Sequence, residues 1–130
     1  HPLATRKAVK ISELSSYPIV LTGRDSSVRD LVERLFADEH LPLSAGLEAN
    51  YMSTVLALVS QGQGITLLPE SADDGRENLA KVAVDHPGVR RQIGLITRTE
   101  QSMAPPVIEF VRLLEDLRLT CPPQGRLPAP

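Results

Sequence analysis

The stretch NYMSTVLALVSQGQGITLLP, from Asn50 to Pro69, decides the fold of this chain. Its first half carries apolar residues at helical spacing, which are Met52, Val55, Leu56 and Val59. This spacing predicts an amphipathic helix, and Gly62 predicts its end because glycine tolerates a positive φ. The apolar run from Ile65 to Leu68 is typical of a parallel strand covered on both faces, and Pro69 ends it. Because this unit holds no nucleophile and no phosphate loop, it indicates the floor of a ligand cleft.

The composition limits the classes of partner. The 130 residues hold 14 basic and 16 acidic side chains with a formal net charge of -2, which argues against a nucleic-acid surface because such a surface needs a clustered positive field. No apolar run approaches the roughly 18 residues of a membrane span, so we expect no membrane contact. The single cysteine, Cys121, excludes an intrachain disulfide and fits a reducing, cytoplasmic location. The chain opens at His1 without a methionine, and we expect a fragment of a longer protein.

Strands and helices are predicted to alternate along the rest of the chain. Short apolar or β-branched runs predict further strands, over 17–22, 42–49, 79–84 and 89–98. Apolar residues at helical spacing predict further helices, over 28–39 and 104–119. This order predicts an α/β domain with a mainly parallel sheet.

Ligands of such sheets bind outside the carboxyl ends of the strands. The first of these ends leads through the turn from Gly23 to Ser27 into a helix N-terminus, whose free N–H groups and dipole favour an anion. Arg24 could bind a ligand carboxylate bidentately or remain a solvated arginine. Ser26 and Ser27 could face the ligand or simply cap the helix, and Ser27 with Asp30 has the form of a capping box.

The sequence contains no pattern of catalytic or metal-binding residues. Its three histidines lie far apart, and no His, Cys and Asp spacing suggests zinc. The turn Gly62-Gln63-Gly64 lacks the third glycine of a dinucleotide fingerprint and precedes a strand instead of a helix. We therefore predict no cofactor, no metal and no catalytic residue. Charged residues such as Glu33 are interpreted as solvated.

The run LEANYMSTVLALVSQGQGITLLPES resembles the effector-binding domain of LysR-type transcriptional regulators. The phrase V-x-x-G-x-G-I-x-x-L-P recurs in that family, and residues Val59 to Pro69 match it fully. Further pieces resemble the family in the same order, and they are His1–Ala4, Ile11–Leu14, Arg91–Arg98 and Pro105–Phe110.

The resemblance implies a three-layer, Rossmann-like lobe of a type II periplasmic-binding-protein fold with a mainly parallel sheet. Residues 1–16 would then end a first lobe and cross over, and residues 17–84 would form the second lobe. Residues 85–119 would return as the last strand and helix of the first lobe, and 120–130 would be a disordered tail. Because most of the first lobe is absent, the apolar residues of the returning segment are expected to lack their usual partners.

The resemblance also implies a ligand. Family members bind a small molecule between the lobes, so an anion or a carboxylate is the expected effector. Asn50, Tyr51, Met52 and Ser53 open a helix at the position that faces the effector in the family, although Asn50 or Ser53 could act as an N-cap alone. The hydroxyl of Thr66 lies in an apolar strand and needs a partner, either the effector or a backbone carbonyl.

The resemblance implies that the full-length protein forms a homodimer or a tetramer. It also implies operator DNA as a partner. DNA would be bound only through an N-terminal helix-turn-helix that this chain lacks. Two other classes stay open. A lobe of a periplasmic-type solute-binding protein would have the same fold, and an enzyme on the same frame would need a convergent nucleophile and base, which the sequence does not present.

Overall fold

The computed structural model describes residues 1–90, 93–97 and 103–120, without the side chains of 118–120. The chain divides into two compact units, His1–Gln92 and Ile93–Pro130. Its helices are α1 (Ile11–Leu14), α2 (Ser27–Asp38), α3 (Met52–Ser60) and α4 (Pro105–Thr120), and its strands are β1 (Ala8–Val9), β2 (Ile19–Thr22), β3 (Ala45–Ala49) and β4 (Ala83–Val84). Single 3-10 turns form at Pro2–Thr5 and Glu70–Ala72. The predicted α/β class is confirmed, whereas the predicted tail beyond 120 lies outside the described residues.

Strand β2 lies between two parallel neighbours. On one side it pairs with β3, with Thr22 opposite Ala49. On the other side the Ile65 amide donates to the Pro18 carbonyl at 3.0 Å, and the Val20 amide donates to the Ile65 carbonyl at 2.8 Å. The strand predicted after Gly62 therefore exists only as a bridge at Ile65, and its residues are half-buried.

The hydroxyl of Thr66 takes the place of the next backbone donor in this ladder. In a parallel ladder the next hydrogen bond would run from the Leu67 amide to the Val20 carbonyl. The Thr66 hydroxyl donates to that carbonyl instead, at 2.8 Å. A side chain thus replaces the backbone donor, and the predicted strand over 65–68 is wrong beyond its first residue.

The two glycines after α3 are required by the backbone. Gly62 has a φ of 77° and confirms the predicted helix end. Gly64 has a φ of 141°, and a Cβ at this position would lie 2.3 Å from the Pro18 carbonyl oxygen. Only glycine permits the chain to approach β2 this closely.

The core of the first unit packs α2 against β2. Its buried members are Val9, Ile11, Leu14, Ile19, Leu21, Val32, Leu35 and Phe36. The stripe predicted from the spacing of apolar residues along α2 is confirmed, since Val28 and Leu35 are also buried. Val55 of α3 is fully buried as well.

A second parallel pair joins β1 to β4, with Val9 opposite Val84. Strand β1 was not predicted, because two residues between lysines are too few to show an alternation of apolar and polar side chains. The strand predicted over 79–84 forms only at its last two residues. The strand predicted over 89–98 is not formed in its described parts, 89–90 and 93–97, and Ile93 there is 85% exposed.

Helix α4 begins at Pro105, one residue after the start of the helix predicted over 104–119, and proline is tolerated in a first helical turn. Several of its apolar side chains are exposed, among them Val107 and Phe110 at 46% and 59%. The expectation that apolar residues of this segment lack the partners of a complete lobe stays a prediction.

Candidate functional site

The polar residues predicted after β2 and β3 lie at one edge of the sheet. Because Thr22 pairs with Ala49 in a parallel register, Gly23 and Asn50 follow at adjacent strand ends. The Asn50 Oδ1 atom lies 2.8 Å from the point that a Cβ on Gly23 would occupy. The structure therefore brings the β2–α2 turn and the β3–α3 turn together, and a side chain at position 23 would separate them.

The N-terminus of α2 opens at this edge. Ser26 is the N-cap, since its hydroxyl accepts a hydrogen bond from the Val28 amide at 3.2 Å and its carbonyl accepts one from the Asp30 amide. The predicted capping box of Ser27 with Asp30 is wrong, because Ser27 is already helical and the N-cap is Ser26. The amides of Ser27 and Arg29 precede the first helical hydrogen bond and have no acceptor within the helix, so the dipole and these groups favour an anion.

The N-terminus of α3 opens beside it. The N-cap is Tyr51, whose carbonyl accepts hydrogen bonds from the Thr54 and Val55 amides, and no side chain caps this helix. The interpretation of Asn50 or Ser53 as an N-cap is therefore wrong. Tyr51 is 74% exposed, Asn50 and Ser53 are exposed, and Met52 is half-buried. Their polar atoms stay available to a ligand.

The side chain of Arg29 connects α2 to the ends of β2 and β3. Its side chain is 5% exposed, and its Nη1 donates to Glu48 Oε1 at 2.9 Å and to the Thr22 carbonyl at 3.3 Å. Its Nε donates to Glu33 Oε1 at 2.6 Å. Burial alone would lower the pKa of Arg29, but the hydrogen bonds and charges of the two glutamates more than offset this and raise it. Arg29 thus holds α2, the end of β2 and β3 in one arrangement.

Arg24 is a cation that solvent and a ligand can reach at this edge. Its side chain is 81% exposed, and its Nη2 lies 4.0 Å from Glu48 Oε1, the oxygen that also accepts from Arg29. The weak pairing leaves the guanidinium able to turn toward a ligand carboxylate.

Two threonine hydroxyls lie near the end of β2, that of Thr22 on the strand and that of Thr66 beside it. The Thr22 hydroxyl oxygen is buried and has no hydrogen-bond partner in the described part of the chain. Thr66, predicted to contact either the effector or a carbonyl, donates to the Val20 carbonyl. The carbonyl alternative is therefore confirmed for the hydroxyl proton, and an effector contact of Thr66 stays a prediction.

The spacing of residues along the sequence does not identify Thr22, Arg29 and Glu48 as members of this site. One signal was present, since Arg29 and Glu33 are spaced i, i+4 on a helix, the spacing of a side-chain ion pair. Glu33 was interpreted as solvated, and its side chain is indeed 48% exposed, but it also accepts a hydrogen bond from Arg29. The contact of Arg29 with Glu48 spans 19 positions and depends on strand pairing, which spacing cannot predict.

Two negative findings concern the described residues alone. Among them no three His, Cys, Asp or Glu side chains lie together in a way that could hold a metal ion. No helix within those same ranges is long and apolar enough to cross a membrane.

Comparison with known proteins gives a consistent result. The family described as LysR substrate binding domain matches residues 1–118. A probable nitrogen assimilation transcriptional activator of Synechocystis sp. is 29% identical over 89% of this chain and 40% of its own length. An uncharacterized HTH-type transcriptional regulator of Escherichia coli, YbhD, is 32% identical over 90% of this chain and 38% of its own length.

The fold is also similar to a solved structure. The crystal structure of HinK, a LysR family transcriptional regulator from Pseudomonas aeruginosa, matches with a TM-score of 0.67 at 18% identity, over 89% of this chain and 41% of that one. The chain spans about 40% of the length of the curated relatives it matches.

Proposed function

This chain belongs to the LysR substrate binding domain family, and we propose that it forms one lobe of the effector-sensing domain of a bacterial LysR-type transcriptional regulator. The effector is a small molecule with an anionic group. It binds at the carboxyl edge of β2 and β3, between this lobe and a second lobe that the complete regulator supplies.

The observation that supports this proposal is the convergence of two helix N-termini beside an exposed arginine. The amides that open α2 and α3 reach the same edge of the sheet, where Asn50 meets Gly23. Helix N-termini bind anions through free N–H groups and the helix dipole. We assign effector contacts to Arg24, Ser26 and Ser27 on one side and to the segment from Asn50 to Ser53 on the other.

The mechanism is a population shift. An effector that binds better to the closed arrangement of two lobes moves the equilibrium toward it by its differential affinity. Strands β1 and β4 pair in parallel, so the segments that enter and leave this lobe lie side by side, as a hinge between lobes requires. The response is transmitted to operator DNA through a helix-turn-helix outside this chain, in a cytoplasmic homodimer or tetramer.

The relatives named as transcriptional regulators favour this function over the lobe of a solute-binding protein. The proposal contains no chemical step, and it assigns no metal or cofactor to the chain.

A thermal-shift screen of the intact regulator tests the proposal, with small carboxylates, inorganic anions and amino acids as probes. A ligand that binds only the folded state raises the melting temperature by mass action. The matched variants are Asn50→Ala and Asn78→Ala, since Asn78 is exposed and its Nδ2 donates a long hydrogen bond of 3.5 Å to the Ser60 carbonyl. We expect the shift to be retained in Asn78→Ala and lost in Asn50→Ala. An equal response of the two variants would place the ligand elsewhere.

A further inference from the structure

Glu48 interacts with both arginines at the carboxyl edge. Its Oε1 accepts from Arg29 Nη1 at 2.9 Å and lies 4.0 Å from Arg24 Nη2. Arg29 is buried and also bound to Glu33, so it cannot turn to a ligand. Arg24 can turn, but it does so beside the partly exposed carboxylate of Glu48, whose side chain is 38% exposed.

Acceptor oxygens outnumber cations on the same side of the site. The Oδ1 atoms of Asn50 and Asp25 lie 2.8 Å and 3.0 Å from one point, the position of a Cβ on Gly23. Neither side chain donates or accepts a hydrogen bond within the described ranges, and no cation there pairs with Asp25. A ligand group that carries N–H donors and positive charge would satisfy these oxygens.

We propose that Glu48 is a specificity-determining residue of the proposed effector site, where its carboxylate is an internal counter-ion of Arg24. The inference rests on the proposed function. An anion that binds Arg24 competes with Glu48 and is repelled by it, which weakens the binding of simple anions. A ligand with an ammonium group beside its carboxylate compensates that repulsion with its own positive charge. The site therefore selects zwitterions such as α-amino acids over simple anions.

Glu33 provides a matched control for Glu48. Both carboxylates accept a hydrogen bond from Arg29, at 2.6 Å and 2.9 Å, and both are partly exposed. Only Glu48 approaches Arg24. In Glu33→Gln and Glu48→Gln the amide oxygen still accepts from Arg29 while one negative charge is lost. Any difference between the two variants in anion affinity then reports the position of the charge and not the loss of an Arg29 partner.

The experiment is a titration of the ¹⁵N-labelled intact regulator, followed through the amide signals of residues 23–27, with sulfate, glutarate or glutamate at constant ionic strength. We expect Glu48→Gln to bind sulfate and glutarate about twofold to fivefold more tightly than the wild type, the range of an exposed charge pair that water screens. Glutamate should bind both proteins equally, and Glu33→Gln should match the wild type for all probes.

Arg24→Gln gives a second test on an exposed position. It should weaken sulfate binding, and adding Glu48→Gln to it should tighten binding less than the same substitution does in the wild type, because the competition for Arg24 is then absent and only the repulsion by Glu48 is removed. Equal changes in Glu48→Gln and Glu33→Gln would overturn the role of Glu48 while leaving the site itself standing. An unchanged preference between glutamate and glutarate in Glu48→Gln would overturn the selection for an ammonium group. If no probe perturbs residues 23–27 in any variant, the proposed effector site is contradicted as well.

Discussion

The guanidinium of Arg29 donates a 2.9 Å hydrogen bond to the carboxylate of Glu48, and this contact joins α2 to β3 directly beneath the polar edge of the sheet. The Thr22 carbonyl accepts from the same nitrogen. One buried cation thus fixes the ends of two neighbouring strands, and with them the turns that bring Gly23 against Asn50.

Replacement of Arg29 by alanine should destabilise the chain by about 3 kcal/mol. Removing one partner of a buried ion pair leaves the remaining groups uncompensated, and the partial exposure of Glu33 and Glu48 keeps the loss at the low end of the usual range. Urea unfolding followed by circular dichroism measures the change. The control is Arg112→Ala, whose pair with Glu109 is exposed on both sides, and which should change the free energy of unfolding by less than about 0.5 kcal/mol. Comparable losses of unfolding free energy in the two variants would show that the ion pairs of Arg29 do not hold α2 to the strand ends.

Gly64→Ala should destabilise the chain by about 3 kcal/mol or more, and Gly62→Ala by about 1–2 kcal/mol. Both positions have a positive φ, so both substitutions strain the backbone. Only at Gly64 does the added Cβ also collide with a carbonyl, that of Pro18, since nothing lies within 4 Å of a Cβ at Gly62. Denaturant titration of the two variants measures the difference, and a milder effect at Gly64 than at Gly62 would refute the close approach of the two segments.

How far the fold could be predicted from the sequence depended on the range of the interaction. The helices α2 and α3 were predicted because their apolar spacing is local, and α3 ends at the glycine that its C-terminus requires. The length of the strand at 65–68 was overestimated, because the apolar pattern does not show that the Thr66 hydroxyl donates to the Val20 carbonyl. The edge formed by the two turns was predicted from strand order, whereas the contact of Arg29 with Glu48 depends on a register that only the folded sheet defines.

Thr66→Val separates a structural hydroxyl from one that contacts the effector. The substitution removes the hydrogen bond to the Val20 carbonyl, which should lower the free energy of unfolding by about 1 kcal/mol or less, since the Leu67 amide can then donate to that carbonyl. The affinity for the ligand found in the thermal-shift screen should stay within about twofold of the wild type, because the hydroxyl proton is already engaged in the fold. Thr66→Ser, which keeps the hydroxyl, is the control. A tenfold weaker affinity in the valine variant alone would make Thr66 an effector contact after all.

Asp73→Asn should alter the dependence of stability on pH. The hydrogen bond from Lys81, followed by that from the Gly75 amide, lowers the pKa of Asp73, and Asp73 in turn raises the pKa of Lys81. The carboxylate of Asp73 stabilises the fold fully above its unfolded pKa, and this stabilisation is lost as the pH falls through its folded pKa. The ammonium of Lys81 stabilises the fold fully below its unfolded pKa, and this stabilisation is lost as the pH rises through its folded pKa.

The free energy of unfolding should therefore be slightly larger for the wild type than for Asp73→Asn at pH values between the folded pKa of Asp73 and the folded pKa of Lys81. This difference should vanish in acid and in alkali. Because the pair is at the surface, added salt should shrink this difference. A difference that is independent of pH would mean that the charges of Asp73 and Lys81 do not contribute.

The most direct test of the central claim is hydrogen exchange of the intact regulator, followed by mass spectrometry with and without the ligand identified in the screen. Binding at the carboxyl edge of β2 and β3 should slow amide exchange in peptides that cover residues 22–29 and 49–54, and leave residues 70–81 unchanged. A ligand that raises the melting temperature but protects neither of those two segments would contradict an effector site at this edge.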